Sequence, residues 1–179
     1  AQDPLLKGIL WINMYENLVN GVILPADFHA TASSDLQVIS DLQLRNYLSG
    51  RFSSVWWNWL SAEERAARAV ETEAMLRGRM ESAESPAEKR SWFGTLRSMT
   101  VTPSGLDYLA SLWKSGTLPG ETLQGGNIQG GARPGENLPG PVRLSEDELC
   151  TLSLTLALKG YTGADRIIAD QRKLIDSKE

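Results

Sequence analysis

The chain has 179 residues, 41% hydrophobic and 22% charged, with a formal net charge of −4. That length suits roughly one soluble-type domain, and the charge balance excludes a generally basic nucleic-acid binder. One His and one Cys exclude an internal disulfide, fall short of a structural zinc ligand set, and force any Ser-His-Asp or Cys-His chemistry onto His29.

No apolar run approaches the ~18 residues of a membrane span. The chain opens Ala1-Gln2-Asp3-Pro4 and moves at once into a periodic apolar segment. There is no basic-then-apolar leader pattern, and Ser177-Lys178-Glu179 follows a helical pattern without a cap. Residues 1–179 therefore read as a single helical domain cut from a longer protein.

In chain order, Pro4 suits a first helical turn. Leu5, Ile9, Ile12 and Val19 hold one helical face and Trp11, Met14 and Leu18 a second. Such a broadly apolar helix is expected to lie buried between neighbours, with Gly21 as a left-handed residue just past its end. A short helix is expected after Pro25. Another is expected over 36–49, carrying Leu36, Ile39, Leu42 and Leu44, and ended by Gly50. The aromatic run 55–60 has strand-like residue types, but no partner strand is apparent, so it is read as helix.

Capping boxes then recur as S-x-x-E at Ser61/Glu64, Ser85/Glu88 and Ser145/Glu148. Pro86 and Pro103 suit first helical positions. The helix after Ser61 is expected to reach about Ala83, with Glu64/Arg68 and Glu73/Arg77 giving it a solvated face. Leu106, Leu109, Ala110 and Trp113 form an i, i+3, i+4, i+7 stripe, and Leu149, Leu152 and Leu156 form another. Ile167, Ile168, Leu174 and Ile175 mark a last helix after Gly163. The expectation is all-α, eight or nine helices in antiparallel pairs, a HEAT- or armadillo-like layer without a strict repeat. Residues 119–141 interrupt it with seven Gly and four Pro, a loop insertion between two helices.

No residue is assigned a catalytic, cofactor-binding or metal-binding role. His29 has no carboxylate at helical spacing and reads as a structural histidine. Cys150 has no basic neighbour within a turn and reads as a small buried hydrophobe. Gly125-Gly126 and Gly130-Gly131 lack the G-K-[ST] of a phosphate loop. Trp92 and Trp113 are expected in the core. Of Trp56, Trp57 and Trp59 at least one is expected at a junction or partly exposed. Arg65, Arg68, Arg77, Arg79, Arg90 and Arg97 alternate with acids and read as solvated helix faces.

The wording resembles the C-terminal helical domain of aminopeptidase N-type (gluzincin) zinc metallopeptidases. Residues 10–21, Leu-Trp-Ile-Asn-Met-Tyr-Glu-Asn-Leu-Val-Asn-Gly, look like the family's opening helix, and Leu24-Pro25-Ala26-Asp27-Phe28 its following step. Asp35-Leu36-Gln37-Val38-Ile39 and Tyr47-Leu48 with Val55-Trp56-Trp57 are similar to later segments. Leu144-Ser145-Glu146-Asp147-Glu148 and the run from Ile167 to Ile175 complete the likeness over nearly the whole chain. Departures are Ser34 where the family often has an acid, the longer Gly/Pro stretch, and the missing H-E-x-x-H, so no zinc ligand or general base transfers. The resemblance implies a non-catalytic domain closing a peptide chamber. Its partners would be a catalytic domain of the same polypeptide and that enzyme's peptide substrates. Zinc would belong to the absent catalytic domain, with no cofactor in this chain. The alternatives are a free-standing helical-repeat adaptor that binds a partner protein, and a hydrolase using His29.

Overall fold

The computed structural model describes residues 3–119 and 141–176. Eight helices lie in it: α1 (Pro4–Val19), α2 (Pro25–Leu36), α3 (Leu42–Asn58), α4 (Ala62–Glu81), α5 (Pro86–Met99), α6 (Pro103–Ser115), α7 (Glu146–Leu158) and α8 (Ala164–Asp176). The starts are local chemistry. Asp3, Asp41, Ser61, Ser85, Thr102 and Ser145 each accept a hydrogen bond from an amide of the first turn. Such a cap contributes roughly 1 kcal/mol. Pro4, Pro25, Pro86 and Pro103 occupy first positions, where the missing N–H costs nothing. Ser61 and Ser145 form full capping boxes with Glu64 and Glu148. Ser85 caps Glu88, but the Glu88 carboxylate turns to Arg45 on α3 instead of back to its own cap.

Two boundaries differ from the sequence reading. The expected helix over 36–49 is two elements: Leu36 closes α2 and α3 starts at Leu42 behind the Asp41 cap. Gly50 does not end that helix. It lies mid-α3, and the aromatic run supplies α3's last turn. Gly21 does take the left-handed conformation after α1, at φ 74°. The chain is all-α in the main, as expected, with one small departure: β1 (Thr117–Leu118) pairs antiparallel with β2 (Val142–Arg143). This two-residue ladder joins the ends of the Gly/Pro stretch, whose residues 120–140 lie outside the described residues.

Side-chain links give the direction of each helix. Gly8 approaches Leu44, and Tyr15 reaches Ser54 further along, so α1 and α3 run parallel. Arg45 meets Glu88 near one end, and at the other Lys159 reaches both the Trp57 ring and the Ser98 carbonyl, which sets α3 parallel to α5. Arg90 meets Glu148 at one end, and Lys159 reaches Ser98 and Thr100 at the other, so α5 parallels α7. Glu73 holds Thr102, and Tyr108 donates to Glu81, so α4 parallels α6. The odd helices therefore form one parallel row and the even helices sit against them, as in the α2–α3, α4–α5, α6–α7 and α7–α8 packings.

The core lies between the rows. Trp56, Trp92, Phe28, Phe52 and Phe93 are its largest fully buried side chains. Each such side chain contributes about 1.5–3 kcal/mol of transfer free energy. Trp11 packs edge-on to Phe28 at 5.4 Å, and its indole N–H donates to Asp35 at 2.8 Å, which fixes α1 on α2.

α1 departs from its expected burial. Trp11 and Leu18 are buried, but Leu5, Leu6, Ile9, Leu10, Ile12 and Val19 are all exposed. On α8, Ile167 is buried whereas Ile168, Leu174 and Ile175 are exposed.

Candidate functional site

α2 delivers His29 into the core. Its ring stacks on Phe52 at 4.4 Å and lies 5.4 Å from Trp56, with 4% of its surface exposed. Nε2 is buried and has no hydrogen-bond partner among the described residues. Burial, with the Arg68 charge adding to it, lowers the imidazole from 6.5 to about 4. The ring is thus neutral near pH 7. No hydroxyl, thiol or carboxylate among the described residues bonds its Nε2.

Cys150 sits half-buried on α7, where the Gln171 amide N–H donates to its sulfur at 3.4 Å. The Gln171 carbonyl accepts from the Trp113 indole at 3.0 Å. Buried Gln171 thus ties α8 to α6 and α7 through one amide. Among the described residues, no three His, Cys, Asp or Glu side chains converge to hold a metal. No helix among them is long and apolar enough to cross a membrane. Both glycine pairs at 125–126 and 130–131 lie outside the described residues.

The tryptophans divide largely as expected, except that Trp113, expected in the core, is only partly buried. Trp56 and Trp92 are core, Trp113 is partly buried, and Trp57 and Trp59 are 41% and 38% exposed. Trp57 has two cations on its ring, Arg65 at 5.3 Å and Lys159 at 4.9 Å. Both cations also serve backbone. Arg65 donates to the carbonyls of Trp56 and Leu60 at the end of α3.

The α5–α6 junction is held by side chains from α4 and from the end of α7, and Glu73, expected with Arg77 on a solvated face, is buried in it while Arg77 pairs with Glu81. The buried Glu73 carboxylate accepts from the amides of Val101 and Thr102 at 2.7 and 2.9 Å and from the Thr102 hydroxyl. From the end of α7, the Lys159 ammonium donates to the carbonyls of Ser98 and Thr100 at 2.9 and 2.7 Å. Burial lowers Lys159 from 10.5 to about 8, partly offset by the Glu73 charge. Gly105 makes room for this clasp. A Cβ there would overlap Glu73 Oε2 and lie 2.6 Å from Thr100 Cγ2.

The arginines are less solvated than their interleaving with acids suggests. Arg77 and Arg90 do pair at the surface, with Glu81 and Glu148. Arg79, however, lies 5.6 Å from the Trp92 ring centre, its buried Nε without a hydrogen-bond partner among the described residues, and Arg45 lies 5.5 Å from the same ring. Arg97 lies over Phe93, where burial lowers its basicity. A helix-wheel count cannot separate these from surface arginines, because a guanidinium can lie flat on a ring as its stem runs through apolar packing.

Compared with protein-family models, curated proteins and solved structures, the chain gives no match. The function is therefore read from the residues and their arrangement.

Proposed function

We propose that this chain is a HEAT- or armadillo-like accessory domain of a zinc-dependent aminopeptidase of the aminopeptidase N type. In this reading it covers the peptide chamber of a catalytic domain in the same polypeptide and performs no chemistry itself. The observation that carries the reading is where the family-like wording falls. Trp11 and Asp35 hydrogen-bond across α1 and α2, Phe28 lies under Trp11 and Tyr15, and Ser145 and Glu148 box the start of α7. The words that carry the resemblance are thus framework contacts of the helical rows. A domain of this kind acts by steric limits on access and by remote contacts that position the reacting end of a peptide.

The first test is the encoding reading frame. An H-E-x-x-H segment in the same polypeptide is expected, and its absence turns the reading to a free-standing adaptor. The second test is kinetic. In a polypeptide with that segment, removing residues 5–179 while zinc is retained is expected to impair cleavage of long peptides more than of a single-residue chromogenic substrate. Unchanged relative efficiency overturns the chamber role.

A further inference from the structure

We infer that the outer face of α1 is a docking surface for a partner helix with an aliphatic stripe bounded at each end by Lys or Arg. The inference stands on α1 and does not rest on the aminopeptidase reading.

The face is unusual for an exposed helix. Leu5, Leu6, Ile9, Leu10 and Ile12 are 72%, 57%, 47%, 54% and 48% exposed. Val38 and Leu42, from the α2–α3 turn and the start of α3, are exposed at 72% and 45%. A groove lined by Leu5, Ile9, Ile12, Leu44 and Tyr47 runs between α1 and α3. Together these exposed side chains form more than the singly scattered apolar exposure of an ordinary surface, the kind of patch that marks a docking site. Leu5, Ile9 and Ile12 repeat at i, i+4, i+7, the spacing that receives an aliphatic ridge of another helix.

Charge selects among occupants. The stripe is bounded by acids, Asp3 and Asp41 at one end and Glu16 at the other, all exposed; the two aspartates also cap their helices and keep their charge while doing so. Glu16 lies thirteen positions after Asp3, about 20 Å along a helix. The nearby cations are already engaged. Lys7 pairs with Asp35 at 3.0 Å, and Arg51 lies 4.3 Å from the Tyr15 ring centre and 5.2 Å from that of Tyr47. A second copy docked two-fold along α1 would bring Glu16 toward the Asp3 and Asp41 end of its partner, like charge against like. A helix with bases at both ends of its stripe meets opposite charge at both.

The test uses the 179-residue chain with two synthetic helical peptides that share a Leu stripe. One is flanked by Lys at both ends and the other by Glu. In low salt the Lys-flanked peptide is expected to bind at least about fivefold more tightly, with the preference shrinking as ionic strength rises. Ile9→Glu, at an exposed position, should abolish binding of both while circular dichroism is unchanged. Glu16→Lys should reduce the preference without loss of the apolar contribution. Equal affinity for the two peptides overturns the charge assignment, and failure of both to bind overturns the docking surface. Sedimentation showing a concentration-dependent dimer that Ile9→Glu dissolves makes a second copy the occupant and overturns the partner proposed here.

Discussion

Lone polar side chains in this core set the conditions under which it is stable. His29 has a folded-state pKa of about 4 against an ordinary 6.5. Its contribution is fully present above about pH 6.5 and is lost as pH falls toward 4, because the unfolded chain takes up the proton first. The shift corresponds to about 2–3 kcal/mol over that window. His29→Phe should keep the stacking on Phe52. The denaturant midpoint of wild type is then expected to fall relative to the variant between about pH 7 and 4. A constant difference across that range would contradict this account. Gly105 supports a prediction of opposite sign to helix propensity. Ala in place of Gly within a helix usually gains up to ~1 kcal/mol. Here the added methyl must displace the Glu73 carboxylate, leaving the part-buried Val101 and Thr102 amides unpaired, so Gly105→Ala is expected to cost about 2 kcal/mol. Glu73→Ala should cost a similar amount, and the double variant should cost far less than the sum, because both remove the same contacts.

At the scale of elements, Gly50 shows how local signals mislead. A glycine after a leucine-periodic run reads as a stop, yet Gly50 is an exposed residue of α3, and a methyl group added to it would meet no heavy atom within 4 Å. Gly50→Ala is therefore expected to stabilise by about 0.5–1 kcal/mol, read as a higher melting temperature. The true boundary signal nearby is Asp41, whose side chain accepts from the Leu44 amide. Leucine and isoleucine keep helical spacing straight through the α2–α3 turn, so periodicity conceals the break. Elsewhere the caps are legible, because Ser61, Ser85 and Ser145 act on amides three residues away. Glu73 and Lys159 are not, because their partners lie 29 and 59 residues along the chain. The outward apolar face of α1 is legible as composition but not as exposure, since a helix that is apolar all round carries no mark of which side has neighbours. The short β1–β2 ladder closes the base of residues 120–140. Replacing those residues by a brief Gly-Ser linker is expected to shift unfolding free energy by less than about 1 kcal/mol, since loop-closure entropy changes slowly with length.

For the whole molecule, the two rows make stability a matter of neighbours. Most helices pack on a sequence neighbour, and α1, α3, α5 and α7 also on the next of their row, so the ends of the array have partners on one side only. α1 and α8 are the two ends, and both carry exposed aliphatic side chains. Limited proteolysis is expected to nick at α8 before the α4–α7 region. Preferential early cleavage inside α5 would show that the rows do not unfold from their ends.

The clasp at the α5–α6 junction has a mechanical meaning. Glu73 reaches it from α4 and Lys159 from the end of α7, so the junction is cross-tied to the helices on both sides of it. Pulled by its ends, the array would release the outer helices first, at low force, as each peels from neighbours on one side. The α4–α7 block would then yield in one larger step, because the acid and the lysine both hold the same turn. A single-molecule extension trace should show that second event, and Glu73→Ala should divide it.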